Sequence, residues 1–197
     1  HDQTNPNETP AQAVRNFVGV PEVRSLYDTV QQVYGDLRWL ERDLTQMFKF
    51  YKHYFPEKPA PEVVAMVSEF ATDAFTAGDS LCGIGLDMFL GENYSAYFAN
   101  ENTAPAYIRR QFQKDYIAVR LAKALAQNLN DAPPGERLLD QMLHNGKTLY
   151  IVDCLLPHTP DSLKMGYTRE QMEGCYANEQ AVWARILEQN LLYSTDA

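Results

Sequence analysis

The chain has 197 residues, of which 45% are hydrophobic, and this is enough apolar sequence for the core of one compact domain. Its formal net charge of −9 disfavours a general nucleic-acid partner, because nucleic-acid-binding surfaces are basic. The acidic residues are spread along the chain, and no apolar run is long enough to predict a membrane-spanning helix.

The N-terminal stretch is polar and punctuated by Pro6 and Pro10. Such a composition is typical of a solvated tether, so we predict a tether over residues 1–20 and a single globular domain over residues 21–197. The sequence starts at His1 and contains no signal peptide, which indicates that the native N-terminus has been removed.

Four stretches carry apolar residues at helical spacing. Gly35-Asp36 marks a potential break in the first stretch, Pro105 suits the first turn of the second, and Thr168 and Gln171 form a capping box before the last. In the last helix we expect the apolar stripe, which includes Tyr176 and Trp183, to face inward. The predicted helices cover about 21–51, 105–129, 138–156 and 168–190.

Two segments predict strands, at about 62–70 and 81–90. The first begins with β-branched residues, and in the second Ile84 and Leu86 share one face while Gly85 and Asp87 share the other. The segment between them, 71–80, is expected to be a connection, and the strands to form a hairpin or to lie side by side. The predicted fold class is α+β, predominantly helical, with helices packed on a small hairpin or sheet.

Catalytic signatures are missing from the sequence. The four histidines form neither HExxH nor HxH, the three cysteines lack zinc-site spacing, and GxSxG, a P-loop and GxGxxG do not occur. We therefore predict no metal site, no cofactor and no catalytic residue, and a protein that is not an enzyme.

Four charged residues interrupt or flank apolar faces: Asp87, Lys147, Asp153 and Glu179. A carboxylate on an apolar stripe needs a partner, because its ionised form is costly to bury. We hypothesise that these four side chains converge into one buried polar cluster. The simpler interpretation of Glu179, which we favour, is a structural carboxylate that fixes the packing rather than a catalytic acid.

Tyr51, His53 and Tyr54 form an aromatic segment that ends a helix just before Pro56. One interpretation is an exposed recognition patch for sugar or protein. The other, which we favour, is core packing, since aromatic residues at such positions are usually buried.

Several segments, in this order and at this approximate spacing, resemble the GldB family of gliding-motility lipoproteins of Bacteroidetes. The likeness covers about Leu37 to Ala197. The segments are YFPEKPAPEVVAMVSEF at 54–70, IGLDMFLGENYSAY at 84–97, PAYIRRQF at 105–112, LLDQMLHNGKTLYIVDCLLP at 138–157 and MGYTREQMEGCYANEQAVWARILEQNLLYST at 165–195.

This resemblance implies a secreted protein with an N-terminal lipid anchor on the periplasmic side of the envelope, at the outer membrane. The lipidated cysteine would lie upstream of His1. The partners it implies are other envelope proteins and the membrane; the absence of a nucleic-acid partner is predicted from the net charge alone.

The family is itself similar to a group of predicted zinc peptidases, which places Lys114-Asp115-Tyr116-Ile117-Ala118 near the position of HExxH. Asn145-Gly146 would then replace the EG pair that carries the third ligand. On this overlay the fold is a degenerate zincin-like metallopeptidase scaffold without zinc, and Gly146 allows the 105–129 helix to approach closely.

We therefore predict a non-catalytic cell-envelope lipoprotein domain that acts in envelope assembly or protein interaction. Two alternatives remain open. One is a carboxylate-based hydrolase that uses Asp87 and Glu179 with His53 or Lys147. The other is a glycan or small-ligand binding module, with a platform formed by Tyr51, Tyr54, Tyr94 and Tyr97.

Overall fold

The computed structural model describes residues 9–98 and 104–195. Three strands lie between two groups of helices along the chain, with short 3-10 turns at 86–89, 95–98, 114–116 and 191–193. The strands are β1 (Glu62–Met66), β2 (Ala74–Ala77) and β3 (Leu81–Gly85). The helices are α1 (Pro10–Gly19), α2 (Pro21–Tyr34), α3 (Arg38–Tyr54), α4 (Ala106–Arg109), α5 (Ile117–Leu129), α6 (Leu138–Leu155), α7 (Asp161–Met165) and α8 (Arg169–Glu188).

The three strands form one mixed sheet in the order β1-β3-β2. β1 runs parallel to β3 with Val63 opposite Cys82, and β2 runs antiparallel to β3 with Phe75 opposite Gly83. The predominantly helical α+β class is therefore confirmed. The prediction of a plain connection over 71–80 is wrong, because four of its residues form β2, which is too short to show a clear alternation in the sequence.

The core lies between one face of this sheet and helices α3, α5 and α6. α5 is the central helix, since its Leu121 and Ala122 are fully buried together with Cys82 and Ile84 of β3. On the opposite face of β3, the Phe75 ring covers Gly83 so closely that a Cβ there would lie 2.0 Å from it. The helices therefore cover the face of the sheet that carries Cys82 and Ile84.

The first predicted helix divides at Gly35, as its sequence predicts, and Gly35 has a φ of +55° that glycine adopts without strain. Residues 10–19 of the predicted tether form α1, a helix without a buried residue. Thr9 and Gln12 make a reciprocal capping box at its start. Residues 1–8 lie outside the described part of the chain.

Both predicted strands end earlier than expected, and one predicted helix is divided. The strand over 81–90 stops at Gly85 and continues as a 3-10 turn, because Asp87 turns inward to bind the loop after β1. The helix over 105–129 is divided into α4 and α5, and between them the carbonyl of Phe112 accepts the Gly91 N–H. β1 itself stops at Met66 rather than at residue 70.

The last helix departs furthest from its sequence pattern. α8 begins at the predicted capping box of Thr168 and Gln171, but none of its residues is buried. Tyr176 is 65% exposed and Trp183 is 42% exposed. The expectation that this stripe faces inward is wrong, since its side chains remain largely exposed even where the Tyr176 hydroxyl lies 3.5 Å from Asp161 of α7.

Candidate functional site

The carboxylate of Asp87 is fully buried at the carboxyl end of β3. Its two oxygens accept hydrogen bonds from the backbone N–H of Ser68 at 2.9 Å and of Phe70 at 2.6 Å, and the Ser68 hydroxyl lies 3.3 Å from both. Successive backbone N–H groups of this kind form a concave anion-binding nest. Asp87 therefore acts as an internal anion that fastens the loop after β1 to the end of β3.

The fastened loop has an unusual backbone. Glu69 and Phe70 have φ values of +53° and +64°, a region that residues other than glycine rarely adopt. Two contacts keep the loop in this conformation: the hydrogen bonds to Asp87 and the edge-on packing of the Phe70 ring against Tyr97, with ring centroids 5.4 Å apart. The Tyr97 hydroxyl donates to the Asp87 carbonyl at 2.7 Å, and its burial raises the pKa of that hydroxyl. These contacts make the Asp87 region a structural anchor.

The predicted buried polar cluster of Asp87, Lys147, Asp153 and Glu179 is not formed. Only Asp87 is buried, whereas Lys147 and Asp153 lie on the exposed side of α6 and Glu179 lies on exposed α8. The sequence pattern was misleading because Lys147, Asp153 and Glu179 all lie on exposed sides of their helices, where their charges remain in contact with solvent. Gly146 is also exposed, and a Cβ added there would meet no atom within 4 Å, so its expected close contact with another helix is wrong.

Asp153 has a different partner that the sequence did not reveal. Lys164 of α7 is only 5% exposed, and its ammonium bonds to Asp153 and lies 3.4 Å from Asp161. The side chain thus runs buried between α6 and α7 while its charge meets two carboxylates near the surface. A lysine at the end of a five-residue helix gives no periodic signal that could have predicted this.

Replacing Lys164 by Ala should lower the free energy of unfolding by about 1–2 kcal/mol, because its buried stem packs against apolar surface while the ion pairs involve half-exposed acids. Lys164→Met keeps the stem and should cost less. Lys147→Ala, on the exposed face, should change the stability by no more than about 0.5 kcal/mol. Urea unfolding of the three variants measures these differences, and a larger loss for Lys147 than for Lys164 would contradict the assignment.

The candidate surface patch of Tyr51, His53 and Tyr54 does not form as a unit, and the favoured interpretation, core packing, holds for Tyr51 alone. Tyr51 is 2% exposed and packs against Phe55 at 5.5 Å, so it belongs to the core. His53 and Tyr54 are exposed and contact each other edge-on at 5.0 Å. Tyr54 is the last residue of α3 and is 50% exposed, so its ring lies outside the core that contains Tyr51.

The side chains named for the hydrolase and ligand-binding alternatives lie apart. Asp87 has no contact with solvent, and Glu179 lies on a separate, exposed helix, so the two carboxylates do not form an acid–base pair in a cleft. Tyr94 and Tyr97 meet at 72°, edge to face, while Tyr51 is buried. The four tyrosines therefore do not form a coplanar exposed platform.

Metal-ligating groups do not converge in the described part of the chain. Over residues 9–98 and 104–195, no three His, Cys, Asp or Glu side chains are arranged to hold an ion. The segment Lys114–Ala118, which the overlay aligned with HExxH, forms a 3-10 turn and the first residues of α5. A 3-10 turn does not place two ligands four residues apart on one helical face.

An apolar groove of about 540 Å³ lies between α3 and β1. We call it the α3–β1 groove. Leu40 and Leu44 form its floor and are also part of the core, whereas Phe48 is only partly buried. The groove is lined by Leu37, Leu40, Glu41, Leu44, Thr45, Phe48, Lys49, Lys52, Ala60, Pro61, Val63 and Ala65.

β1 borders this groove as an edge strand. It is hydrogen-bonded to β3 on one side, and no other described strand pairs with its second side. The Glu62 N–H donates to the Ser80 carbonyl of the β3 side at 2.9 Å, so the alternate residues Val63 and Ala65 direct their backbone N–H and C=O groups outward. Their side chains line the groove, while Val64 and Met66 lie on the opposite face, 43% and 37% exposed.

Charged side chains stand at both ends of the groove. Glu41 lies toward the N-terminal end of α3, and Lys49 and Lys52 lie toward its C-terminal end. The Lys52 ammonium donates to the carbonyls of Pro56 and Lys58, each at 2.6 Å, which places the lysine end beside the chain that leads into β1. The groove therefore has an acidic and a basic end with apolar walls between them.

The loop before β1 is fixed by an ion pair. The Lys58 ammonium lies 2.8 Å from the Asp79 carboxylate in the β2–β3 turn. This hydrogen bond lowers the pKa of Asp79 and raises the pKa of Lys58. β1 is thus anchored at its start by Lys58 and at its end by the Asp87 contacts.

Together these features define a small, predominantly helical α+β domain whose buried carboxylate is a structural anchor and whose open surface is an apolar groove. The model of the family described as gliding motility protein GldB matches residues 2–197, nearly the whole chain, and the chain belongs to this family of gliding-motility lipoproteins. The family membership predicted from its ordered motifs is confirmed. Neither a curated protein nor a solved structure matches the chain.

The family name places the chain among lipoproteins of the cell envelope. Within the described ranges, none of the helices combines the length and hydropathy needed to cross a bilayer.

Proposed function

We propose that this chain is a non-catalytic domain of a cell-envelope lipoprotein that binds another envelope protein in the α3–β1 groove. In this proposal a lipid anchor outside the chain holds the domain on the periplasmic side of the envelope, at the outer membrane. Membership of the gliding-motility lipoprotein family supports the envelope setting. The net charge of −9 disfavours nucleic acid as the partner.

The observation that carries the proposal is the α3–β1 groove. Contiguous apolar surface that remains open on a folded domain commonly marks a site of interaction. Here it lies between a helix and a strand that are both anchored to the core, and charged residues border it. A hydrophobic centre with a polar rim is the usual anatomy of a protein-binding surface.

The state of the carboxylates supports binding rather than catalysis. Asp87 is engaged in structural hydrogen bonds, Asp140 in a two-bond ion pair with Arg137 at 2.8 and 2.9 Å, and Asp153 in an ion pair with Lys164. The Arg137 pair lowers the pKa of Asp140 and keeps it ionised at neutral pH. A general acid at neutral pH would need the opposite shift.

Photo-crosslinking in cells that produce the full-length protein tests this function. A photoreactive amino acid is placed at Thr45, an exposed position in the groove wall, and in a matched strain at Gln32, an exposed position on α2. We expect one reproducible adduct with an envelope protein from position 45 and none from position 32. Purified partner and domain should then bind each other, and Ala65→Lys, which puts a charge into the groove, should weaken that binding at least about tenfold.

Equal adducts from both positions, or no adduct from position 45, would overturn the groove as the working surface. A purified pair whose affinity is insensitive to Ala65→Lys would do the same. Circular dichroism and urea unfolding of each variant confirm that the fold is retained in the comparison.

A further inference from the structure

We infer that the groove accepts an extended segment of the partner protein, which pairs with β1 as a fourth strand of the sheet. This inference rests on the proposed function and specifies the form of the bound partner. Its basis is that an open strand edge borders the apolar groove. A bound helix or a flat protein surface would fill the groove without hydrogen-bonding to that edge.

The backbone of β1 supplies the first argument. Val63 and Ala65 present outward N–H and C=O groups, whereas the residues next to them in sequence form the hydrogen bonds to β3. Edge strands with exposed apolar residues are a liability, and soluble domains usually protect them with proline, lysine or a covering element. Within Glu62–Met66 the one charged side chain is that of Glu62 at the first position; the remaining residues, VVAM, include neither proline nor lysine, and no described strand pairs with their outer edge.

The walls of the groove supply the second argument. In a strand added beside β1, every second side chain would point toward α3, over Leu40, Leu44 and Phe48. In this mode main-chain hydrogen bonds give affinity, and recesses for alternate side chains give specificity. The partner segment should therefore carry apolar side chains at alternate positions facing the groove.

The charges at the ends of the groove set the direction. Glu41 and Lys49 are separated by eight residues of helix, roughly 12 Å, which corresponds to about four residues of an extended strand. Lys49 lies near the start of β1, because Lys52 on the same turn bonds to residues 56 and 58. An antiparallel partner, the slightly more stable arrangement, would thus carry its basic residue first and its acidic residue about four positions later.

A synthetic peptide tests these features on the purified chain. The probe is acetyl-Thr-Lys-Thr-Leu-Thr-Glu-Thr-amide, in which lysine, leucine and glutamate share one face. In a titration followed by heteronuclear NMR, we expect the backbone amide signals of Val63 and Ala65 to shift and their hydrogen exchange to slow. The same peptide with lysine and glutamate exchanged should bind about two- to fivefold more weakly, because both end charges are then mismatched.

Two changes remove the strand pairing while leaving the groove in place. Ala65→Pro deletes an outward N–H without breaking a bond to β3, a position where an edge strand tolerates proline. An N-methyl group on the peptide leucine deletes the matching donor and leaves the protein unchanged. Each change should weaken binding at least about tenfold. Val64→Thr, on the opposite face of β1, is the matched control and should retain binding.

Three results would overturn the strand assignment. The first is a peptide that binds equally well after N-methylation, which would indicate an occupant that does not pair with β1. The second is the absence of any shift at Val63 and Ala65. The third is a dimer, detected by sedimentation and lost in Ala65→Pro, which would show that a second copy occupies the edge. If the Thr45 crosslink persists in any of these cases, the proposed function stands; if it is lost as well, both fail.

Discussion

Replacing Asp87 by Ala should lower the free energy of unfolding by about 3–5 kcal/mol, because each buried donor left without an acceptor costs roughly 1–3 kcal/mol. The substitution leaves the backbone N–H groups of Ser68 and Phe70 without acceptors in a site with no contact with solvent. It also removes the contacts that hold Glu69 and Phe70 in a left-handed backbone, so the loop loses its fixed conformation. Urea or thermal unfolding monitored by circular dichroism measures this loss.

Asp87→Asn and Ser68→Ala are the controls for this prediction. The amide of Asn has one oxygen and one NH₂ group, so one of the two backbone donors would face another donor, and we expect a loss between those of the other two variants. Ser68→Ala removes one hydroxyl contact and should cost about 1 kcal/mol. An Asp87→Ala protein as stable as the parent would contradict the anchor, whatever its effect on binding.

Replacing Tyr51 by Ala should also cost about 3–5 kcal/mol, as for other large aromatic side chains removed from a core. Tyr51 is 2% exposed, and its ring is in contact distance of Phe55 and Phe48. Tyr54, three residues later, is 50% exposed, so Tyr54→Ala should change stability by no more than about 0.5 kcal/mol. The comparison is made by urea unfolding of both variants.

Tyr51→Phe separates the ring from the hydroxyl in the same series and should retain most of the stability, because the aromatic volume is unchanged. Equal losses of stability for Tyr51→Ala and Tyr54→Ala would indicate that the two side chains have the same environment. Such a result would favour a single aromatic patch over the division that the structure shows.

Local signals in the sequence predicted the elements that depend on local physics. Gly35 divides a long helix because it adopts a positive φ, and Thr168 with Gln171 starts α8 through a capping box whose bonds span three residues. Asp87 was recognised as a residue that needs partners, because a carboxylate interrupts an apolar strand. Its partners were not predictable, since Ser68 and Phe70 come from a loop 17 to 19 residues away.

Burial failed as a prediction wherever it depended on a neighbouring element. The stripe on α8 with Tyr176 and Trp183 looks like a core face, but periodicity shows only that one side is apolar, and not that anything covers it. Lys147 lies on a helix with a real core face, yet its own side is exposed, whereas Lys164 on short α7 is buried.

The α3–β1 groove could not be predicted from the sequence for a related reason. Its existence depends on the order of strands in the sheet, and this order places β1 at an edge although it precedes both other strands in the chain. Strand order is a non-local property, and a five-residue segment such as EVVAM suits a central strand equally well. The apolar stripe on α3 was predicted, but not that its Phe48 side would remain open.

The anchoring of β1 at both ends has a consequence for the thermodynamics of the proposed docking. Lys58 and Asp79 hold the start of the strand, and the Asp87 contacts hold the loop that follows it. A strand fixed in this way loses little conformational entropy when a partner pairs with it, so the entropic cost of association falls mainly on the incoming segment. Rigid partner segments should consequently dissociate more slowly than flexible ones of the same composition, since affinity differences between related complexes lie chiefly in the dissociation rate.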